Sequence, residues 1–412
     1  MNSFMDLKSE TPKDQEWVHN SHLEKALYDN TRPLPEIEPL TSAPHFHWFG
    51  YYDKFATDPS GRFVLGMEVE FDNRSPQPDD VIKIGIVDRQ DGNAWSEIAQ
   101  SRAWSWQQGC MLQWRPGSEK ECLWNDRIKD RFVCHILDIE TGNKRTLNRP
   151  IYHISPDGKW AVSLDFARIQ SVRPGYGYSG VKDRTQAILR PEDSGIWLVD
   201  LDSGASTFLF SIAEIADIPY EGAATDDDKH WFNHAAWNTD GSRFLFLNRW
   251  RSLTGRFRDF RTRMFTASPS GNLRLVTDKP YVSHFTWKDH NQIAMWREDG
   301  YKLYKDDGSG REEIIFNATN GHNSYLSDDN WILTDTYVDK KGYQHLYLYH
   351  TPTDKVIVLG HFPAKGPLTG ELRCDLHPRL SRDGKTVLID STHGGNGRQI
   401  YGVDLSQISL HL

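Results

Sequence analysis

The sequence predicts an all-β fold, a seven-bladed β-propeller with four-stranded blades, and three observations carry that expectation. Fifteen Trp, 16 Tyr and 19 Phe against six Met in 412 residues favour aromatic strands over a helical bundle. Asp-Gly and similar turns recur between alternating apolar runs, the strong short-range hairpin signal. A phrase of turn, strand, strand, strand ending in Val-Asp, and second turn repeats at roughly 40–60 residues, as propeller blades do, and no such unit buries both faces of its sheet alone.

Residues 1–44 read as a polar N-terminal extension with a short helix around His22 to Asp29, and residues 45–412 as the propeller. Units begin near residues 47, 98, 150, 230, 280, 320 and 372. Their first turns are DPSGRFVL (58–65), RPGSEKECL (115–123), SPDGKW (155–160), NTDGSRFLF (238–246), LSDDNWIL (326–333) and SRDGKTVLI (381–389). Closing turns are VDRQDG (87–92), LDIETG (137–142), VDLDSG (199–204), SPSG (268–271), KDDGSG (305–310) and HTPTDK (350–355). Unit three carries a Gly/Tyr-rich loop at 171–180, and a helix-compatible insert at 212–231 separates it from unit four. Blade one and the ring closure are the least marked, and six or eight blades remain open.

The apolar fraction of 38% suits a packed globule and excludes a largely disordered chain. A net charge of −9 disfavours nucleic acid held by a globally basic surface. No run of about 18 apolar residues and no N-terminal apolar h-region occurs, so neither a membrane span nor a leader is expected. The expected location is cytoplasmic, or periplasmic or secreted where a leader has been removed. Cys110, Cys122, Cys134 and Cys374 form no CxxC pair and read as thiols.

Aligning the units on the first turn places His234, His322 and His377 six residues before the turn Asp, and His284 joins them when Trp287 is matched to Trp237. Innermost strands line the channel of a propeller, so these side chains converge there, with Cys374 three residues from His377. Imidazoles and a thiolate suit Zn²⁺ or another divalent metal, with Mn or Ca as alternatives. The same register also serves histidines that hydrogen-bond between blades. Elsewhere, His47 precedes an aromatic string (48–54), Tyr152 opens unit three, and Arg168 can clamp a carboxylate. Arg173 and Tyr178 lie on the Gly/Tyr-rich loop. The run Arg249 to Arg263 holds six arginines, including Arg251, Arg256 and Arg258, interleaved with Trp250, Phe257 and Phe260, a pattern suited to an anionic ligand. His393 and Arg398 flank a Gly-rich hairpin, and Glu68 and Glu70 share one strand face.

The strings HWFGYYDK, SLDFARIQSVRPGYGY, NHAAWNTDGSRFLFLNRWR, GHNSYLSDDNWILTDTY and CDLHPRLSRDGKTVLIDSTHGGNGRQ resemble the oligogalacturonate-lyase-like propellers, over residues 45 to 405. Those in turn resemble seven-bladed ulvan lyases and a rhamnosyl-glucuronate hydrolase group. The resemblance implies a carbohydrate-active enzyme on uronic-acid-containing glycans, in which a cation or Arg neutralises the carboxylate, a base removes the C5 proton and an acid protonates O4. It places His322, Cys374 and His377 as channel metal ligands, Cys374 standing where an amide is expected and favouring zinc in a structural role. It matches Tyr152 and Arg168 to a catalytic Tyr/Arg pair, and His47 to one of two histidines, with Glu68 near the second position. The expected function is a polysaccharide or oligosaccharide lyase acting by β-elimination on an anionic glycan, with Tyr152 and His47 moving protons, Arg168 neutralising the carboxylate and Arg173, Tyr178, Arg249, Arg251, His393 and Arg398 binding substrate. The alternatives are a glycoside hydrolase such as an α-L-rhamnosidase on the same propeller, or a non-catalytic glycan-binding propeller.

Overall fold

Aromatic and β-branched runs separated by Asx turns fold as seven four-stranded antiparallel sheets, the blades of a seven-bladed propeller. The computed structural model describes residues 20–29, 31–220, 227–254, 259–279, 281–367, 369–408 and 410. From the channel outward, blade one is Phe46–Trp48, Phe63–Val69, Ile82–Asp88 and Ala94–Ser101, and blade two is Gln113–Trp114, Glu121–Ile128, Arg131–Asp138 and Lys144–Leu147. Blade three is His153–Ile154, Trp160–Ser163, Gly195–Asp200 and Ser206–Ser211, and blade four is Asp228–Trp237, Phe244–Ser252, Arg261–Ala267 and Leu273–Thr277. Blade five is Ser283–Trp287, Gln292–Arg297, Gly300–Lys305 and Glu312–Asn317; blade six is Asn323–Tyr325, Trp331–Asp335, Tyr343–His350 and Lys355–Pro363. Blade seven takes Arg379–Leu380, Thr386–Ser391 and Gln399–Asp404, and its outer strand is Ile37–Pro39. The ring therefore closes with residues that lie inside the extension drawn before residue 45.

Each turn expected to join the first and second strands does so. Ser155, Asn238 and Ser381 each accept the N–H of the residue five positions on, at 3.0, 3.1 and 2.9 Å, which pins the hairpin. Blades three, four and seven use Gly158, Gly241 and Gly384 at φ near +70°, and blade six places Asp329 at φ 56° in the equivalent left-handed position. The second strands, sandwiched between neighbouring blades, are buried at every position in blades six and seven, whereas the outer Glu312–Asn317 is largely exposed. The second unit differs from expectation. Residues near 98 belong to the outer strand of blade one, and blade two begins at Gln113 after a buried irregular stretch, 103–112.

Three short helices are added. Helix α1 (Ser21–Leu27), capped by Asn20, buries Leu23 and Leu27 against Phe316 and Tyr349 of blades five and six. Helix α2 (Phe166–Val172) starts at Asp165, and α3 (Ile212–Ala216) opens the insert before blade four with a Ser211/Glu214 capping box. None of the helices among the described residues is long and apolar enough to cross a membrane.

The segment after the first inner strand, FGYYDK, crosses the channel. Asp390 of blade seven accepts the N–H groups of Phe49 and Gly50 at 3.1 Å each, and Arg379 pairs with Asp390 at 2.8 Å and donates to the Gly50 carbonyl at 3.0 Å. At the far side Tyr52 donates to the Phe285 carbonyl and accepts its N–H, at 2.9 and 3.0 Å. Gly50, at φ +114°, sits where a Cβ would come within 2.9 Å of the Gln108 backbone. Asp390→Ala strips a buried guanidinium and two amides of their acceptor. A loss of about 3–5 kcal/mol is expected, measurable by chemical denaturation, and an effect under about 1 kcal/mol would show that water replaces the carboxylate.

Candidate active site in the channel

Four histidines reach the channel from successive blades, three of them through one backbone device. His234 and His284 each interrupt their ladder as the extra residue of a bulge, between Asn233 and Ala235 and between Ser283 and Phe285. With His377 they have positive φ, 53°, 28° and 44°, uncommon for a residue with a Cβ. A bulge turns one side chain out of the alternation of its strand, here toward the axis. Met111, at φ 56°, is the corresponding residue of blade two. His322 keeps an ordinary backbone and starts blade six.

His322, His377 and Asp375 offer ligand atoms that all lie within 4.8 Å of one another, and all three are buried. His322 donates through Nδ1 to Asp335 at 3.0 Å, which leaves its Nε2 lone pair facing the cluster. Nε2 of His322 and Nε2 of His377 are buried without a hydrogen-bond partner among the described residues. Burial alone would depress His322, but the Asp335 carboxylate outweighs it and holds the imidazole above its usual range; burial and the neighbouring His322 push His377 well down. Two neutral-capable imidazoles and a carboxylate fit a divalent metal. His284 packs against His322 with ring centroids 4.0 Å apart, its Nδ1 on Asn320 at 2.8 Å.

A second lobe surrounds His234. Its Nδ1 lies 2.9 Å from Tyr152 Oη, and Gln108 Nε2 donates to the same hydroxyl at 2.6 Å. Burial pushes Tyr152 well above the ordinary tyrosine range. Tyr176 stands edge-on to the same imidazole, centroids 5.7 Å apart. Burial would raise Tyr176 too, yet Arg373, whose Nη2 donates to its hydroxyl at 3.2 Å, and Arg173 over its ring at 4.4 Å pull it down to about 7. Arg249, 4% exposed, has no carboxylate within 4 Å among the described residues and is pushed down to about 9 by burial and by Arg173. Tyr51 joins the lobes, stacked on His234 at 5.2 Å and edge-on to His377 at 5.1 Å.

Among solved structures the chain is similar to an oligogalacturonate lyase in complex with manganese, at 14% identity and a TM-score of 0.64 over 90% of this chain and 94% of that one. An oligogalacturonate lyase from Vibrio parahaemolyticus aligns at 13% identity and a TM-score of 0.63, covering 92% and 95%. The fold is that of the oligogalacturonate lyases. The β-propeller domain of the trilobed protease from Pyrococcus furiosus aligns at 12% identity and a TM-score of 0.51, covering 87% and 96%. No protein-family model and no curated protein matches the sequence.

On this propeller the residues singled out from the sequence separate into groups. Tyr152, Arg173, Arg249, His234, His284, His322 and His377 converge on the channel. Arg168 does not. It is 1% exposed, and its guanidinium is spent on the carbonyls of His230, Thr185, Ile188 and Leu189 at 2.7 to 3.0 Å, leaving nothing for a substrate carboxylate. His47 has both ring nitrogens engaged, with Gln399 at 3.0 Å and Glu68 at 3.1 Å, and packs on Trp95. Glu68 in turn holds Lys83 at 2.7 Å. Tyr178 is a core residue stacked on Phe166 at 4.3 Å. Cys374 lies outside the metal-competent cluster, and burial pushes its thiol up to about 12, so Asp375 replaces it there and the preference for zinc goes with it. His393 packs against Tyr401 with the rings tilted, Arg398 lies over Trp106, and Arg251 is a half-buried neighbour of Arg173. Arg256, Phe257 and Arg258 lie outside the described residues.

Sequence reasoning missed Asp375, Gln108, Tyr51, Tyr176 and Arg373. Asp375 was two positions from His377, the spacing that keeps side chains on one side of an extended chain, and that signal was readable. The purified protein is expected to carry about one divalent ion per chain in elemental analysis. Its affinity should fall roughly 10- to 100-fold in Asp335→Ala, which removes the acceptor that orients His322. A folded wild-type protein that binds no divalent ion would overturn the assignment.

Proposed function

We propose that the protein is a β-eliminating lyase that cleaves uronic-acid-containing oligosaccharides or polysaccharides. The observation that carries this reading is the pair Tyr152 and Tyr176, both edge-on to the His234 ring with centroids 6.3 and 5.7 Å away, one pushed above and the other below the ordinary tyrosine range. Environments that drive two like groups apart assign an acid and a base. The shared fold of the oligogalacturonate lyases is consistent with it.

Arg249 and Arg173 bind the uronate carboxylate, since both are cations without a carboxylate partner among the described residues and Arg holds carboxylates in bidentate fashion. Tyr176, as phenolate, takes the proton from C5. The electron pair of that C–H bond becomes the C4–C5 double bond as the C4–O4 bond breaks, and Tyr152 gives its proton to the departing oxygen. Gln108, donating to Tyr152 Oη, stabilises the phenolate left behind, and exchange with water resets both tyrosines. His322, His377 and Asp375, with His284 beside them, would hold a divalent cation, Mn²⁺ and Zn²⁺ both suiting such a donor set, and when bound it withdraws electron density from the carboxylate and acidifies the C5 proton.

The test is a panel of oligogalacturonate, ulvan, rhamnosyl-glucuronate and glycosaminoglycan substrates, followed by unsaturated-uronate absorbance beside reducing ends. Both signals are expected to grow. Reducing ends without absorbance would replace the lyase with a glycoside hydrolase, and bound glycan with neither signal would leave a binding propeller. Tyr152→Phe and Tyr176→Phe should each lower kcat by about 10²–10⁴ with the fold intact. Activity should rise with pH through about 7 as Tyr176 loses its proton. Arg173→Ala, by removing one of the two cations that favour the phenolate, should move that limb to higher pH; an unmoved limb would show that Tyr176 is not the base.

A further inference from the structure

Outside the channel a cavity of about 210 Å³ opens between blades one and seven, lined by Asp72, Lys365, Leu372, Cys374, Thr392 and Arg398 and by the backbone of Gly395 and Gly397. Its wall is shared with the channel. Along residues 372–375 the side chains alternate: Leu372 and Cys374 face the cavity, while Arg373 and Asp375 belong to the channel cluster. Two cations face this space unspent. Arg398 is 4% exposed, yet among the described residues no carboxylate lies within 4 Å of it; it donates to the Leu372 carbonyl at 2.9 Å and rests 4.5 Å over Trp106. Lys365 is exposed and likewise lacks an ion pair among the described residues, its backbone N–H held by Thr392 Oγ1 at 2.9 Å.

A guanidinium kept out of water without a counter-charge is costly, and a bound anion removes that cost. Gly395 and Gly397 adopt φ near +80°, and a Cβ on Gly395 would come within 3.1 Å of Lys365 Nζ, so the hairpin presents bare backbone to the space. The volume is below the roughly 300–1,000 Å³ of pockets for drug-sized ligands and suits one sugar ring with one acid group.

We propose that this cavity is a second saccharide site, for a single anionic sugar unit, whose carboxylate or ester anion is held by Lys365 and Arg398. It is separate from the site of elimination and does not depend on the reaction assigned there. The test is titration calorimetry with galacturonic acid, galactose and inorganic sulfate on the Arg173→Ala/Arg249→Ala protein, in which the channel has lost both of its carboxylate-binding guanidinium groups. One galacturonate per chain is expected to bind, at least tenfold more weakly when Lys365→Glu is added. Lys365 is exposed, so this second change leaves the core intact, and Lys365→Gln should give an intermediate affinity. An affinity unchanged by Lys365→Glu, galactose binding as tightly as galacturonate, or sulfate binding as tightly as the sugar acid would each overturn the proposal. Failure here leaves the elimination reading standing, because that one is read from turnover at the tyrosines.

Discussion

Three blades carry a histidine in the left-handed region of backbone space, in the innermost strand or just before it, and each such residue costs on the order of 1–3 kcal/mol that surrounding structure must hold in place. In a regular inner strand, side chains alternate between the two blade faces, and an imidazole would pack between sheets. The bulges at His234 and His284, and the corresponding backbone of His377, turn the side chain out of that alternation and into the axial channel. The plug formed by Phe49–Lys54 closes over them. Tyr51 and Tyr52 fill the space between the rings, and Asp390 and Arg379 fix the plug to blade seven. Strain at the strands and burial under the plug belong to one arrangement, since the strained backbone persists only where packing leaves it no alternative.

Burial under the plug sets the electrostatics. Arg173, Arg249 and Arg373 stand within a site whose nearest carboxylates are already paired, Asp375 with Arg373 and Asp335 with His322, and His234, His284 and His377 are pushed toward the neutral form. The region is electron-poor within a chain of net charge −9. In a water-poor site, fixed cations of this kind act on charge that develops during a reaction without first having to reorient. The two tyrosines beside His234 respond in opposite directions because only Tyr176 touches the arginines. Tyr152 faces an amide and an imidazole, and burial governs it.

The histidine register and the hairpin turns were legible because they are periodic: an Asx-Gly turn recurs at fixed distance from the inner strand in most blades, so misplacing one boundary does not disturb the others. The one displaced unit, the second, has an irregular buried stretch between Ser101 and Gln113 where the period carries no mark. That same stretch supplies Gln108, so the least regular part of the ring is a part of the site. His47 and Arg168 misled for a common reason. A polar residue that reads as functional in sequence becomes structural once the chain brings it acceptors, Gln399 and Glu68 for the histidine, four backbone carbonyls for the arginine.

The sequence by itself determined the fold class, the position of nearly every hairpin turn and the convergence of four histidines, since all of these follow from local chemistry repeated at a period, and it favoured seven blades over six or eight, the count that the closure of the ring settled. Only the tertiary structure decided which side chains are left with unspent hydrogen-bonding capacity. Tyr176, Arg373 and Asp375 come from segments almost 200 residues apart and meet because blade three faces the strip before blade seven across the channel. The proton affinities of Tyr176 and Arg373 come from that meeting and from burial, neither of which a residue carries in its own sequence neighbourhood.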